Sequence, residues 1–381
     1  MKKVNPILQW WVTPKLPYED VFELPLLIDK NPLKIVIHFF SNWFIHPIKR
    51  RLAKKYLEFL RKFTDIKVIG ITGSSGKTTT TQMLASICSH VGRTVWSRES
   101  IDPVYNIPNT ILRAGIDTKY LILEMGVEYP GEMDFYLWMA VPDVAAITNI
   151  FPTHLEFFGD VDGVLKEKSK LVLGLSKNGV AVLNESYISK SILSQIKARV
   201  LKFKIISDPI IQNSEIALTV AVGLGIDSAS IETGIKNYQK PKHRLSVLHH
   251  KSGAIILDDS YNNNPEAALS SLSYFGKMAK DKKMYAVIGD MKQLGQYEES
   301  SHRQIGKVIA KMGFSGIIAV GKASKYLIEE IKNGSKNTET VLVDDEKSAR
   351  KLITQYLKNG NYILIKGSRS IGLDKLVDTL V

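Results

Sequence analysis

VIGITGSSGKTTTTQML, residues 68–84, joins an apolar β-type run to a turn of small residues and then to a helical pattern. Such a turn presents backbone N–H groups beside a helix N-terminus, and both features favour a bound phosphate. The usual pattern GxxxxGK[ST] has a glycine where this chain has Ile71, but the residues that would hold phosphate are present. They are Gly73 and Gly76 for close backbone approach, Ser74 and Ser75 for a small turn, Lys77 for the outer phosphates and Thr78 for magnesium. The stretch therefore predicts a nucleotide site.

Short β-type runs alternate with helical patterns from residue 66 to the end of the chain. This alternation indicates βαβ units built on parallel sheets. The Pro- and Lys-rich segment YQKPKHRLSVL (238–248) interrupts it and indicates a domain boundary. We therefore expect an α/β fold. Its parts are a short helical N-terminal segment (1–65), a central P-loop ATPase domain with a parallel sheet (66–241) and a C-terminal Rossmann-like α/β domain (242–381).

The composition is that of a globular protein with a basic surface. The chain has 381 residues, of which 44% are hydrophobic and 23% charged, with a formal net charge of +13. The charge comes without helix-turn-helix, RRM-like or zinc-ligand spacing, so we interpret it as a solvated lysine-rich surface and expect no nucleic-acid partner. The N-terminus lacks the pattern of a signal peptide, and the single cysteine, Cys88, cannot form an intramolecular disulfide. Both features favour a cytoplasmic location.

Residues 33–63 are the most membrane-like part of the chain. Their apolar run falls short of the roughly 20 residues needed to span a bilayer. It is interrupted by Lys34, His38, Asn42 and His46. An aromatic segment followed by basic residues is typical of a helix that lies on anionic lipid. Two interpretations stay open: peripheral membrane contact, or a helical segment that packs its aromatic residues (Phe39, Phe40, Trp43 and Phe44) against its neighbours.

Further motifs follow the phosphate loop in a fixed order. Before the expected boundary come LILEMGVEYPGEM (121–133), TNIFPTHLEFFG (148–159) and DGVLKEKSKLVLGL (162–175). After it come HRLSVLHHKSGAIILDDSYNNNPEAA (243–268), VIGDMKQLG (287–295), VGKAS (320–324) and LIKGSRS (364–370). With these motifs the chain resembles the Mur ligase family from Val68 onward. It is most similar to the branch that adds D-alanyl-D-alanine to a UDP-muramoyl peptide.

The resemblance implies catalytic roles for Lys77, His154 and Lys168, and Lys168 matches a lysine that the family carbamylates. A carbamate would turn this cation into an anion that can sit between magnesium ions. The resemblance also implies that Thr78, Glu124 and His154 hold magnesium. On composition alone, Lys168 would be one more lysine on a helix surface. Lys170 stands where the family pattern commonly has glutamate.

The resemblance implies a second set of residues around the nucleotide. Asn149 and Glu156 match neighbouring active-site positions, and Asn149 joins the loop residues of the phosphate site. After the expected boundary, five residues match positions linked to nucleotide binding: Arg244, Asp259, Tyr261, Asn262 and Asn264. These residues would reach ATP when the C-terminal domain closes over it.

The function that the resemblance implies is ATP- and Mg²⁺-dependent amide formation by a monomer. A cell-wall precursor carboxylate would attack the γ-phosphate, and an amino acid or dipeptide would then displace phosphate from the acyl phosphate. A P-loop kinase or regulatory NTPase would explain the loop but not HLEFFG (154–159) or DDSYNNNP (258–265). A catalytically silent scaffold would have no need to keep the catalytic residues.

Three departures from the family pattern fall on the substrate side. Residues 1–65 do not resemble the family's α/β domain that holds the UDP group. SIDPVYNIPNTILR (100–113) has Ser100, Asp102 and Pro103 where the family has amide side chains near the acceptor substrate. The stretch between AVLNES (181–186) and IIQNSEIALTVAVGLG (210–225) is shorter than the family pattern leads us to expect. We therefore expect an altered carboxylate substrate, with a lipid-linked one as the alternative to a UDP-linked one.

Overall fold

The computed structural model describes Trp10, Trp11, Leu33, Val36, Ile37 and residues 40–98 and 101–380. These residues form two compact units. The first contains the described residues up to Ile150, then Asp162–Ile205 and Ile211–Gln239; the second contains Phe151–Val161, Ile206–Ile210 and the chain from Lys240 onward. The functional boundaries expected at residues 65 and 241 stay predictions, and most of what was predicted for residues 1–39 lies outside the described residues.

A six-stranded parallel sheet forms the centre of the first unit. Its strands are β1 (Lys67–Thr72), β2 (Thr94–Trp96), β3 (Tyr120–Glu124), β4 (Val144–Ile147), β5 (Val180–Leu183) and β6 (Arg199–Lys202), in the order β2-β3-β1-β4-β5-β6. Ile69 of β1 is paired with Ile122 on one side and Val144 on the other. The central strands are almost entirely buried, as expected where helices cover both faces of a parallel sheet. The carboxyl ends of β1, β3 and β4 therefore meet at one edge.

Most helices of the first unit connect these strands. They are α1 (His46–Phe63), α2 (Lys77–Val91), α3 (Pro103–Arg113), α4 (Glu132–Met139), α6 (Val161–Leu173), α7 (Lys190–Leu193), α8 (Pro209–Gly223) and α9 (Ser228–Lys236). A π-helical turn, Ser41–Ile45, precedes α1, and a 3-10 turn, Glu185–Tyr187, follows β5. In the part of the chain that is described, no helix is both long and apolar enough to cross a membrane. Cys88 of α2 is buried, which raises the pKa of its thiol to about 12 and makes it a packing residue.

Two of the departures in segment 100–113 have a local structural reason. Asp102 is the N-cap of α3, and its side chain accepts a hydrogen bond from Val104 N at 2.8 Å. Pro103 occupies the first turn, where its missing N–H leaves no helical hydrogen bond unmade. This pair therefore begins a helix at the position of the family's amides. Ser100 lies outside the described residues.

The second unit contains a mixed sheet. Its strands are β7 (Ser246–His249), β8 (Ile255–Asp259), β9 (Lys283–Gly289), β10 (Gly316–Val320), β11 (Glu339–Val343) and β12 (Asn361–Lys366), in the order β11-β10-β9-β12-β8-β7. β7 is antiparallel to β8, and the other pairs are parallel. The α/β fold class predicted from the sequence is confirmed in both units.

Helices cover both faces of this second sheet. They are α10 (Pro265–Met278), α11 (Glu298–Met312), α12 (Ser324–Gly334), α13 (Glu346–Ile353) and α14 (Leu373–Asp378), with 3-10 turns at Gly295–Tyr297, Thr354–Tyr356 and Arg369–Ile371. The short helix α5 (Leu155–Phe158) also belongs to this unit. Alternate strand residues enter two separate apolar cores. Leu364 belongs to the core around Phe275 and Phe314, whereas Ile363 belongs to the core around Leu373. Successive residues of a strand point to opposite faces, so each face has its own core.

Gly234 allows α9 to cross close to α2. A Cβ atom on Gly234 would lie 2.3 Å from Ile87 Cα and 2.8 Å from Ile87 N. Because backbone atoms cannot swing aside, we expect Gly234→Ala to force the helices apart at a cost of about 1–3 kcal/mol. Gly276→Ala in α10 is the matched control, since its Cβ would meet only the flexible Cε end of Met312 at 3.1 Å. Thermal unfolding should show a lower midpoint for Gly234→Ala alone, and equal midpoints for the two variants would contradict the prediction.

Candidate active site

The phosphate loop connects β1 to α2 and depends on two glycines. Gly73 and Gly76 have φ angles of 147° and 80°. A Cβ atom would lie 1.9 Å from Thr148 Oγ1 at the first position and 2.2 Å from Asn213 Oδ1 at the second, so neither position accepts another residue without rearrangement. Ile71, by contrast, is a fully buried residue inside β1. The glycine missing from the usual pattern therefore falls in the strand, where none is needed.

Asn149 ties the phosphate loop to the end of β4. Its Oδ1 accepts hydrogen bonds from Ser74 N at 3.1 Å and Ser75 N at 2.8 Å, and its Nδ2 donates to Ser75 O at 3.1 Å. The Thr148 hydroxyl donates to the same carbonyl at 2.6 Å. The side chain predicted to neighbour the nucleotide thus shapes the loop directly. The loop then leads into the N-terminus of α2 at Lys77, where the helix dipole favours an anion.

Lys77, Thr78 and Glu124 meet at the carboxyl edge of the sheet. Lys77 Nζ donates to Gly73 O at 2.9 Å, within the loop itself. The Thr78 hydroxyl donates to Glu124 Oε1 at 3.1 Å, and Glu124 ends β3. A hydroxyl and a carboxylate are the hard oxygen ligands that Mg²⁺ prefers. Among the described residues no group of three or more His, Cys, Asp or Glu could hold a metal ion.

Lys168 is one of the most deeply buried side chains of the first unit. It lies on α6 and is only 1% exposed, so the interpretation of a surface lysine is wrong. Burial holds the pKa of its ammonium well below the usual range, and the nearby charge of Lys77 lowers it further. Glu132 and Glu167 oppose this shift only in part. The amine therefore loses its proton more readily than that of an exposed lysine.

Glu132 is a buried carboxyl group that no sequence motif indicates as a site residue. Its Oε2 accepts hydrogen bonds from Glu128 N at 2.6 Å and Tyr129 N at 3.0 Å, so it fixes the segment between β3 and α4. Burial raises the pKa of Glu132 to about 8. The sequence signal that could have revealed it is an acidic residue in the first turn of a helix, directly after Gly131.

Glu167 fixes the same segment from the other side. Its Oε1 accepts hydrogen bonds from Gly131 N at 3.0 Å and Met133 N at 2.9 Å. Its Oε2 accepts from Lys170 Nζ at 2.7 Å. Lys170, which replaces a glutamate of the family pattern, therefore has a structural partner in this chain. The helix that carries Lys168 is thus joined to the loop that follows Glu124.

His154 and Glu156 belong to the second unit. His154 precedes α5 and has a left-handed backbone with φ of 54°, which is uncommon for a residue other than glycine. A Cβ atom on Gly295 would lie 3.1 Å from Glu156 Cα, so the 3-10 turn Gly295–Tyr297 packs closely on α5. The residues expected to act in catalysis are therefore divided between the two units: Lys77 and Lys168 in the first, and His154 in the second.

Tyr261 lies against two arginines in the second unit. The Arg244 guanidinium lies over its ring at 4.1 Å from the centroid, and that of Arg369 at 5.3 Å. Arg369 also donates to the Tyr261 hydroxyl at 3.1 Å. Arg244 and Tyr261 were predicted from the sequence. Arg369 was not, although the motif LIKGSRS (364–370) contains it.

The remaining residues predicted for the nucleotide hold the turn after β8. Asp259 Oδ2 accepts hydrogen bonds from Lys366 Nζ at 2.6 Å and from the Ser271 hydroxyl. Lys366 is almost fully buried and also donates to Asn262 O at 2.9 Å. The Asn264 side chain caps α10 by accepting from the N–H of the third helical residue at 2.8 Å. Through these hydrogen bonds Asp259, Asn262 and Asn264 stabilise the turn after β8 and the start of α10.

The sequence and the fold match known proteins over most of their length. The Mur ligase middle domain matches residues 71–221, and the Mur ligase, glutamate ligase domain matches residues 243–369. The UDP-N-acetylmuramoyl-tripeptide--D-alanyl-D-alanine ligase of Buchnera aphidicola is 28% identical over 368 residues, covering 86% of this chain and 78% of the relative. The enzyme of the same name from Escherichia coli is 25% identical over 364 residues, covering 84% and 78%.

Solved structures of MurF share the fold. MurF from Acinetobacter baumannii superposes with a TM-score of 0.77 at 24% identity, covering 88% of this chain and 80% of that one. MurF from Thermotoga maritima in complex with ADP gives a TM-score of 0.74 at 22% identity, covering 88% and 83%. The two domain matches together account for more than half of the chain. The protein therefore belongs to the Mur ligase family and is an ATP-dependent ligase.

Proposed function

We propose that this ligase joins D-alanyl-D-alanine to the terminal carboxylate of a muramyl tripeptide, a precursor of the cell wall. The names of its curated relatives support the two substrates. The observation that carries the chemistry is the grouping of the phosphate loop, the Thr78–Glu124 pair and the buried Lys168 in one unit. A kinase would use the loop and the oxygen pair but has no need of the buried amine.

The proposed reaction passes through an acyl phosphate. A carboxylate oxygen forms a bond to the γ-phosphorus of ATP as the bond to ADP breaks. The amine of the dipeptide then attacks the acyl carbon, loses its proton and expels phosphate. The protein contributes positioning and charge neutralisation rather than a covalent intermediate. Lys77 would neutralise the outer phosphates, and the N-terminus of α2 would hold them against the loop that Asn149 fixes.

Thr78, Glu124 and His154 are the residues proposed to hold Mg²⁺, and the hydroxyl and carboxylate of the first two fit that ion. Bound Mg²⁺ would neutralise negative charge on the transferred phosphoryl group. Arg244 and Tyr261, with Arg369 beside them, are proposed to bind the nucleotide base or ribose, since stacked guanidinium and aromatic planes suit a flat ligand.

Lys168 is proposed to be carbamylated. The neutral amine attacks carbon dioxide, forms an N–C bond and releases one proton, which leaves a carboxylate on the side chain. That carboxylate would add an anionic ligand close to Lys77, whose charge already influences Lys168. The cost of burying a lysine is thereby relieved, because the modified side chain can accept hydrogen bonds and pair with cations.

Several finer expectations remain part of the proposal. The functional domains are residues 66–241 and 242–381, and the enzyme acts as a cytoplasmic monomer. Peripheral membrane contact through residues 33–63 would bring it near a lipid-linked carboxylate. Since the resemblance to the family's UDP-binding domain is missing from residues 1–65, the lipid-linked muramyl peptide is the second candidate substrate.

Replacing Lys77 should abolish ligation. We expect Lys77→Ala to lower the rate at least about 100-fold, because a positioned cation no longer meets the charge that develops on the phosphates. Lys67→Ala, at the exposed start of β1, is the control and should keep the wild-type rate. The assay measures ADP release with ATP, a muramyl tripeptide and D-alanyl-D-alanine, and identifies the product by mass.

The same assay separates the alternatives. Product formed only when acid and amine are both present supports the ligase, and a product formed only from the lipid-linked acid selects the second substrate. Phosphate transfer to a hydroxyl would indicate a kinase. If no pair of acid and amine stimulates ADP release, the chain is a silent scaffold and the proposal is wrong.

Ligation should depend on carbon dioxide through Lys168. Because burial lowers the pKa of Lys168, its neutral form is present below the pH at which an exposed lysine loses its proton, so the carbamate should form at a lower pH than on an exposed lysine. We expect activity to fall in carbonate-depleted buffer and to return with bicarbonate. A ¹³C carbamate signal from labelled bicarbonate should disappear in Lys168→Met.

Lys170→Met is the matched control on the same helix. Burial lowers the pKa of Lys170, but hydrogen bonds to Asp134 and Glu167 outweigh burial and raise it overall. That ammonium stays protonated and should not react, so its loss should leave the ¹³C signal in place. A carbamate signal that survives in Lys168→Met and is lost in Lys170→Met would overturn the assignment.

A further inference from the structure

Helix α1 has a buried face that packs on the first unit. Ala53, Leu57 and Leu60 are almost fully buried on this face. Polar contacts fix the helix along its length: Lys54 Nζ donates to Trp138 O at 2.8 Å, and the Tyr56 hydroxyl donates to Ala114 O at 2.8 Å. The helix is therefore held in one orientation about its own axis. Its opposite face must point away from these contacts.

That opposite face carries a row of large apolar side chains, which we call the apolar stripe. Spacings of four and seven residues place them on one side of a helix. Their exposed fractions run from 47% to 63%. The stripe consists of Ile48, Leu52, Phe59 and Phe63 of α1 and Phe44 of the π-helical turn that precedes it. It extends along about 30 Å of helix. The exposed apolar side chains therefore form one long patch rather than isolated surface residues.

The earlier interpretation that the aromatic residues pack against neighbours does not account for this stripe. Phe40 stacks on Phe44 at 5.1 Å between ring centroids, and Phe59 lies 4.8 Å from Phe63, yet all four are exposed. Trp10, also exposed, lies beneath the Arg51 guanidinium at 4.9 Å. Aromatic side chains with one face in contact and the other exposed are typical of interfaces between water and lipid.

The positive charge of α1 indicates which kind of partner would bind the apolar stripe. Seven of its side chains are basic (Lys49, Arg50, Arg51, Lys54, Lys55, Arg61 and Lys62), and the acidic one is Glu58, which pairs with Lys55 at 2.7 Å. Arg50 is buried, and Lys54 and Arg61 donate to backbone carbonyls of the first unit, so the remaining basic residues supply most of the charge on the exposed side. A second copy of the chain would bring the same positive charge against the stripe. Nucleic acid would meet the charge but leave the phenyl rings in water. An anionic bilayer satisfies both features, because apolar side chains enter the acyl boundary while lysines reach the lipid phosphates.

We propose that the apolar stripe of α1 binds the surface of a bilayer that contains anionic phospholipids, with the helix axis in the membrane plane. Lys55 and Lys62, both exposed, lie between the stripe residues along the sequence and would contact the headgroups. This inference does not rest on the identity of the ligase substrates. It places the ATP-using unit, on which α1 packs, at the membrane surface.

The test is sedimentation of the full chain with sucrose-loaded vesicles. We expect binding to vesicles of equimolar phosphatidylcholine and phosphatidylglycerol, and much weaker binding to phosphatidylcholine alone. The double variant Leu52→Ser with Phe59→Ser should bind about 10- to 100-fold more weakly, because two apolar side chains no longer leave water. Lys55→Gln with Lys62→Gln should weaken binding by about fivefold per charge.

A matched control separates the stripe from general surface hydrophobicity. Ile116 and Val222 are also exposed apolar residues of the first unit, outside α1. The double variant Ile116→Ser with Val222→Ser should bind vesicles like the wild type. Circular dichroism and ADP release should be unchanged in both serine variants, since none of the four residues belongs to the proposed active site.

Three results would overturn the inference. The first is no binding of the wild-type chain to anionic vesicles. The second is equal binding by the stripe variant and the wild type, which would indicate adsorption by charge alone. The third is a wild-type dimer in sedimentation velocity that the stripe variant converts to monomer without any vesicle binding, which would assign the stripe to a second copy of the chain.

Discussion

The hydrogen bonds between Asn149 and the phosphate loop are the contact on which the rest of the candidate site depends. Ser74 and Ser75 donate hydrogen bonds from their backbone N–H groups to one carboxamide oxygen. Gly73 lets the chain turn there because it has no Cβ atom that would clash with Thr148. The loop after β1 is thus fixed to the loop after β4, its neighbour in the sheet. Because both loops are fixed, the N-terminus of α2 is held in one orientation, and Lys77 and Thr78 have defined positions beside Glu124.

A second constraint is the burial of charge around Lys168. An ammonium group this far from water is costly unless it loses its proton or gains a partner. Burial lowers the pKa of the lysine, and the nearby carboxyl groups of Glu132 and Glu167 oppose this shift in part. Both carboxyl groups also accept hydrogen bonds from backbone N–H groups of the segment after β3. The same two residues therefore fix this segment and influence the pKa of Lys168.

The departures from the family pattern have different physical meanings. Asp102 and Pro103 form the N-cap and first residue of α3. Replacing the family's amides by these two residues therefore also defines where a helix begins. Lys170 replaces a glutamate but forms ion pairs with Asp134 and Glu167. The shortened stretch after β5 still adds β6 to the edge of the sheet. None of these changes falls within the phosphate loop, residues 73–78, which agrees with a ligase that still uses ATP.

The sequence by itself determined the alternation of strands and helices, the phosphate loop and the order of the family motifs. These features are local, because propensity, turn chemistry and spacing act over a few residues. It did not reveal Glu167 or Arg369 as members of the candidate site, or that Asn149 shapes the loop, since each depends on contacts between residues far apart in the chain. Glu132 accepts hydrogen bonds only from residues three and four positions away, but its burial depends on packing between elements. Only the tertiary structure decided that Lys168 is buried while the apolar stripe of α1 is exposed. Burial is a property of packing between elements, and no single segment encodes it.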